Sequence, residues 1–221
     1  MWWRNLAFIH WSFEPSVIQA LLPDDLTVDT WDGAAWVGLV PFEMEVQLPG
    51  GIPIPREGRF PETNVRTYVR GPDGTPGVWF MSLEAARLSA TSMARATYGL
   101  PYFWASISVT NAGPIWPYQS QRRWPGPRGA SHQSAVRAGE IIEEQTPFER
   151  FLTARWGLFS TFAGRTLYAP IWHEPWELRR SELLHLDDEL MRVGGCPIPD
   201  QTPILHWTKG VEVRVGRPRL A

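Results

Sequence analysis

The chain has 221 residues, 43 % of them apolar and 20 % charged, with a formal net charge of −2. This is the composition of an ordinary globular protein with enough chain for a substantial core, and its weak acidic balance gives no field to recruit nucleic acid or an anionic membrane. Cys196 is the only cysteine, which excludes an intrachain disulfide. No basic segment followed by an apolar one opens the chain, and no apolar run reaches the roughly 18 residues of a spanning helix. A soluble, cytoplasmic protein is expected.

The first predicted element is a strand over Trp3–Trp11. Pro15 then opens a short helix, Ser16–Leu22, from the first turn, where its missing N–H does no harm. Strands follow over Leu26–Trp31 and Ala34–Glu45, joined at Asp32-Gly33, a strong hairpin signal. Leu48–Arg59 is rich in Pro and Gly, lacks a period and reads as a loop. A strand through Glu62 comes next, then a turn over Gly71–Gly77 and an antiparallel partner over Val78–Ala85. Leu88, Thr91, Ala94 and Tyr98 recur at helical spacing, predicting a helix over Leu88–Tyr98 that Gly99 and Pro101 stop.

Tyr102–Asn111 alternates as a strand, whereas Pro114–Gly129, dense in Pro, Trp and Arg, reads as irregular. Ser134–Glu144 predicts a strand pair or a bent strand. Thr146-Pro147-Phe148-Glu149 carries the capping-box pattern of a helix start, and the helix should run to about Trp156. Strands over Thr166–Trp172, Trp176–Leu186 and Ile204–Val215, with a short helix at Asp187–Val193 before Gly194, complete the chain. No linker or composition break divides it, so one domain over residues 1–221 is expected. Many short strands, tight turns and a few helices predict an α+β, mostly antiparallel design.

The segment Phe60-Pro-Glu-Thr-Asn-Val-Arg-Thr-Tyr-Val69 is the most informative. As a strand it puts Glu62, Asn64, Arg66 and Tyr68 on one face, roughly 7 Å apart. That face is either wet, or a buried polar array that needs partners or a ligand. Arg66 would then hold a carboxylate through both prongs or pair with Glu62. Arg95 would reach a pocket mouth or cap its own helix.

His10 and His206 sit in matching frames, Phe8-Ile-His-Trp11 and Ile204-Leu-His-Trp207, so in a closed sheet two imidazoles would meet as a relay or remain separate core residues. Two histidines are too few ligands for a metal site. No dinucleotide-binding glycine motif, P-loop, His-Glu-x-x-His or nucleophile elbow occurs, so no cofactor is expected. Trp116–Arg128 suits an interface or a pocket lid, and hence a homo-oligomer built through Trp-rich loops. Lys209 is the sole lysine, and so the only side-chain amine able to form an imine.

Leu6-Ala-Phe-Ile-His-Trp11, Leu22-Pro23, Val28–Val37, Pro41-Phe42, Phe60–Val69, Gly77–Leu83, Ala94-Arg95, Leu100–Phe103 and Leu205–Val213 together resemble, in order, the uncharacterised YqjF-like bacterial family of the acetoacetate decarboxylase-like superfamily. The resemblance implies a closed antiparallel β-barrel or cone with flanking helices and an internal pocket. The decarboxylases carry their imine-forming lysine in a Gly-x-Pro-Lys motif. Here the corresponding stretch is Gly99-Leu-Pro-Tyr102, and a phenol forms no imine. The resemblance also carries over a strand glutamate, at Glu62.

The expected function is therefore binding or transformation of a small organic acid or carbonyl compound without a Schiff base. Glu62 would be the general base, Tyr102 the donor to a developing oxyanion, and Asn64, Arg66, His10, Arg95 and His206 ligand-binding groups. A non-catalytic binding module and a structural oligomeric subunit are the alternatives.

Overall fold

Alternating apolar residues and short turns drive most of this chain into strands, and the computed structural model describes residues 1–48, 52–54 and 58–221. In order these are β1 (Trp2–Phe13), α1 (Pro15–Gln19), β2 (Thr27–Val28), β3 (Thr30–Trp31), β4 (Ala34–Glu45), β5 (Gln47–Leu48), β6 (Ile52–Pro53), β7 (Arg59–Arg70) and β8 (Pro76–Ala85). Then come α2 (Leu88–Tyr98), β9 (Tyr102–Val109), β10 (Ile115–Trp124), β11 (Ser131–Ile141), α3 (Pro147–Thr153), β12 (Gly157–Phe162) and β13 (Arg165–His173). The last are β14 (Arg179–Asp188), α4 (Leu190–Val193), β15 (Ile204–Val215) and β16 (Arg219–Leu220).

Local chemistry explains several boundaries. Asp32 and Gly33, at φ 49° and 75°, form the two-residue turn between β3 and β4, whose residues Trp31 and Ala34 pair. Gly99 ends α2 in the left-handed conformation. The Thr146 side chain accepts from the Glu149 N–H while Glu149 reaches back to the Thr146 N–H, so α3 starts on a complete capping box.

Other expectations need correction. Leu26–Trp31 is two pieces, because the Asp29 N–H bonds to Tyr68 O and sends β2 to pair with β7. Pro114–Gly129 is not irregular throughout, since β10 pairs with β11 and β9, the register against β9 shifting only between Arg122 and Trp124. Its inward alternation of Tyr118, Ser120 and Arg122 was obscured by the flanking Pro and Trp. The helix after Thr146 ends at Thr153, and the unpredicted β12 follows. Part of the loop expected over Leu48–Arg59 lies outside the described residues, and the rest includes the β5–β6 pairing.

The pairings close the sheet. β8, β7, β4, β1 and β15 form a continuous wall, and two return paths join its edges, one through β14, β11, β10 and β9, the other through β13 and β12. Both return paths meet β8 in parallel, and the remaining pairings are antiparallel. The cone thus holds two compartments with a common partition.

Period two then sorts the core. Leu6, Phe8, Val40, Phe42, Phe60 and Tyr68 face the compartment closed by β12 and β13, with Leu158 and Ile171 opposite. Ala7, Ile9, Val37, Leu39 and Val65 face the other, against Tyr118 and Val136. Both faces of β7 are therefore covered, and Glu62, Asn64, Arg66 and Tyr68 form a buried polar row.

The second compartment also holds polar groups. Glu84, fully buried, accepts from Arg122 Nε at 3.1 and 3.2 Å, and Arg122 Nη2 donates to Ser82 Oγ at 2.8 Å. The Arg122 guanidinium stacks 3.5 Å from the Phe103 ring centre. His132 bridges Asp188 Oδ1 (3.0 Å) and Ser134 Oγ (2.9 Å), while Asp188 Oδ2 accepts from the Met191 N–H at the start of α4. This serine–histidine–aspartate order matches a hydrolytic triad in its nitrogens. Ser134 is only 3 % exposed, however, and the trio ties β11 to β14 and α4.

Gly38 occupies a close approach in the partition. A Cβ there would lie 2.8 Å from His10 Nε2, the nitrogen bonded to Tyr68 Oη at 2.7 Å. Gly38→Ala should displace His10 from Tyr68 and lower stability by about 1–3 kcal/mol, measured by urea unfolding. A loss within measurement error would mean that the imidazole yields without penalty.

Candidate functional site

The row on β7 divides between two environments. At one end Glu62 and Asn64 lie in the wall of a cavity of about 510 Å³, within the range of small-molecule sites. Phe42 of β4 pairs directly with Glu62, Val40 with Asn64, and Leu83 of β8 with Asn64 from the other side. The Tyr102 hydroxyl, at the start of β9, donates to Glu62 with separations of 3.1 and 3.3 Å to the two carboxyl oxygens. Arg95 does not enter the cavity wall; its Nη1 donates to Tyr102 O at 2.7 Å and so anchors the backbone that presents the phenol.

Glu62 is 1 % exposed and has no cationic partner within ion-pair distance among the described residues. Burial pushes its carboxyl up to about 8, against the opposing hydrogen bond from Tyr102. Burial also raises the Tyr102 phenol well above its usual range, and Glu62 adds to the rise. At neutral pH the pair is an undissociated acid beside an undissociated phenol.

At the other end of the row, Arg66 turns away from Glu62. Its Nη2 donates to Leu152 O of α3 at 3.3 Å, and the guanidinium lies over Phe8 and Tyr68, at 5.5 and 5.8 Å from the ring centres. The Tyr68 hydroxyl also donates to Leu152 O, which leaves His10 Nε2–H as donor to Tyr68 Oη. Burial, then Arg66 and His206, hold His10 well below the usual histidine range, so the ring is neutral.

Phe8 pairs with His206 across β1 and β15, which places His10 one diagonal step from His206 on the same face. Each ring is engaged elsewhere, His206 Nε2 lying 3.4 Å from Glu149 Oε1. Among the described residues no group of three or more His, Cys, Asp and Glu side chains is placed to hold a metal. His10, Arg66 and His206 are outside the cavity wall. Lys209 is exposed on β15 and also outside it.

Sequence reasoning identified the polar floor and missed the apolar wall. Trp3, Phe42, Phe60, Leu83, Leu158 and Ile171 converge there from six strands, and Ala90, Met93, Ala94, Thr97 and Tyr98 of α2 roof it. The roof was signalled faintly, since positions i, i+3, i+4, i+7 and i+8 share a helix face and two of them are alanine.

The profile of the family DUF2071, described as an uncharacterized conserved protein, matches residues 1–212. The chain belongs to this family. A relative is the uncharacterized protein YqjF of Bacillus subtilis (strain 168), 32 % identical over 214 residues, covering 96 % of this chain and 87 % of the relative.

Among solved structures, acetoacetate decarboxylase from Legionella pneumophila superposes with TM-score 0.70 at 12 % identity, over 98 % of this chain and 84 % of that one. The enduracididine biosynthesis enzyme MppR complexed with pyruvate gives 0.67 at 14 % identity, over 100 % and 90 %. An acetoacetate decarboxylase-like enzyme from Sphingomonas wittichii RW1 gives 0.64 at 13 % identity, over 100 % and 91 %. At these identities the likeness establishes the decarboxylase-like fold of this DUF2071 chain and nothing of its chemistry.

Proposed function

We propose that this cavity binds a small carbonyl compound and exchanges protons with it through Glu62 and Tyr102, without an imine. The observation that supports this reading is the Glu62–Tyr102 pair in the wall of a largely apolar cavity, its carboxyl raised to about 8. Carboxyl and phenol are the groups placed to donate to a carbonyl oxygen. As Glu62 ionises towards pH 8, it becomes the base that takes a proton from the carbon next to the carbonyl. Tyr102 Oη then donates to the developing enolate oxygen. The sole lysine is exposed outside the wall, which argues against Schiff-base decarboxylation.

Hydrogen–deuterium exchange at the α-carbon of 2-butanone, followed by proton NMR, tests this. Exchange should rise with pH through about 8 and then level, following ionisation of Glu62. Glu62→Gln should lower it by about 100-fold or more. The near-complete burial of Glu62 favours a second reading, a non-catalytic carrier of the same ligands. Ketone binding by parent and Glu62→Gln alike, with no exchange above buffer in either, would establish the carrier. Absence of both binding and exchange would end both readings.

A further inference from the structure

The composition of the cavity wall narrows the ligand further. Among the described residues no lysine or arginine side chain belongs to it. Met1 is part of the wall, and its ammonium donates to Val213 O at 3.0 Å. The nearest row member with a guanidinium, Arg66, is committed to Leu152 O and to aromatic faces on the far side of Asn64. A carboxylate drawn into this space would be desolvated with no side-chain counter-ion among the described residues, beside an acid that is itself uncharged at neutral pH.

The roof shows where the rest of a ligand would go. Ala90 and Ala94 are the smallest members of the α2 face, and their shortness leaves room between the helix and Phe60, Leu83 and Leu100. Met93 and Thr97, on the same face, are exposed, so the space opens along the helix rather than ending under it. At roughly 30 Å³ per water-sized group, about 510 Å³ accommodates about 17 non-hydrogen atoms.

Resting on the reading of Glu62 and Tyr102 given above, we infer that the ligand is an uncharged carbonyl compound with a hydrocarbon tail, its oxygen at Tyr102 and its tail beneath Ala90 and Ala94 of α2. The discriminating features are the absence of a side-chain cation from the wall among the described residues and the small residues of the roof.

The test is calorimetric titration with methyl ketones from 2-butanone to 2-undecanone, alongside the straight-chain carboxylic acids of equal length at pH 7.5. Affinity should rise about fourfold per methylene until the space is filled, and each acid should bind at least tenfold more weakly than its ketone. Ala94→Phe should lower the chain length at which affinity stops rising. Thr97→Trp, at the exposed rim, repeats the test without touching the packed side of α2. Equal affinity along the ketone series, or acids binding as tightly as ketones, overturns the inference. The proton-exchange reading would survive that result if 2-butanone still exchanges. Failure of every ketone both to bind and to exchange removes the two together.

Discussion

Glu62→Gln is expected to make the protein more stable at pH 8 than its parent and to flatten its dependence on pH. The folded-state value of about 8 lies above the ordinary 4.5 of a glutamate. Between those values the unfolded chain ionises while the folded one stays protonated, so the unfolded state holds fewer protons. Stability is therefore fully present below about 4.5 and lost as pH rises towards 8. A shift of that size corresponds to roughly 3–5 kcal/mol across the window. Glutamine keeps the shape, cannot ionise, and can still accept from Tyr102. Urea unfolding at pH 5, 6.5 and 8 should show the parent losing several kcal/mol and the variant losing much less. Parallel curves would mean that the carboxyl ionises in the folded protein with little penalty, and the acid–base reading would lose its basis.

The second large effect is expected at the other polar centre. Arg122 and Glu84 are both buried, with side-chain exposures of 1 % and 0 %. Burial raises the Glu84 carboxyl, and its bonds to Arg122 only partly offset this. Removing one partner leaves an uncompensated charge in the interior. Glu84→Gln and Arg122→Met should each destabilise by about 3–5 kcal/mol, whereas the double variant should recover much of the loss, because two neutral groups replace a desolvated pair. Thermal and urea unfolding of the full cycle decides the matter. Additive single losses would show that the pair does not act as a unit and that Ser82 and Phe103 hold Arg122 by themselves.

How far the sequence could be read depended on whether the information was local. Ile204–Val215 and Leu88–Tyr98 have the bounds predicted from alternation and helical spacing, and the Asp32-Gly33 turn and Thr146 capping box are as expected. Period two also assigned Glu62, Asn64, Arg66 and Tyr68 to one face. It did not reveal what lies opposite that face, which depends on residues distant in the chain. Tyr102 meets Glu62 from 40 positions away, whereas Arg66 is drawn to Leu152 from 86. Hence neighbours in the row end in different surroundings. The β10 strand was hidden by its Pro and Trp content, and the Glu84–Arg122 pair spans segments that offered no shared pattern.

The partition itself has a consequence for how this sequence can change. A strand on the outside of a sheet has every second position turned to water, where substitutions pass with little effect. β7 is sealed from Phe60 to Val69 except for a half-buried Pro61, and so offers almost no neutral positions. A larger residue at Thr63 or Thr67 would press into one chamber, and one at Asn64 or Tyr68 into the other. Variation that retunes the ligand chamber is therefore freer to come from α2, whose outer side remains open to solvent.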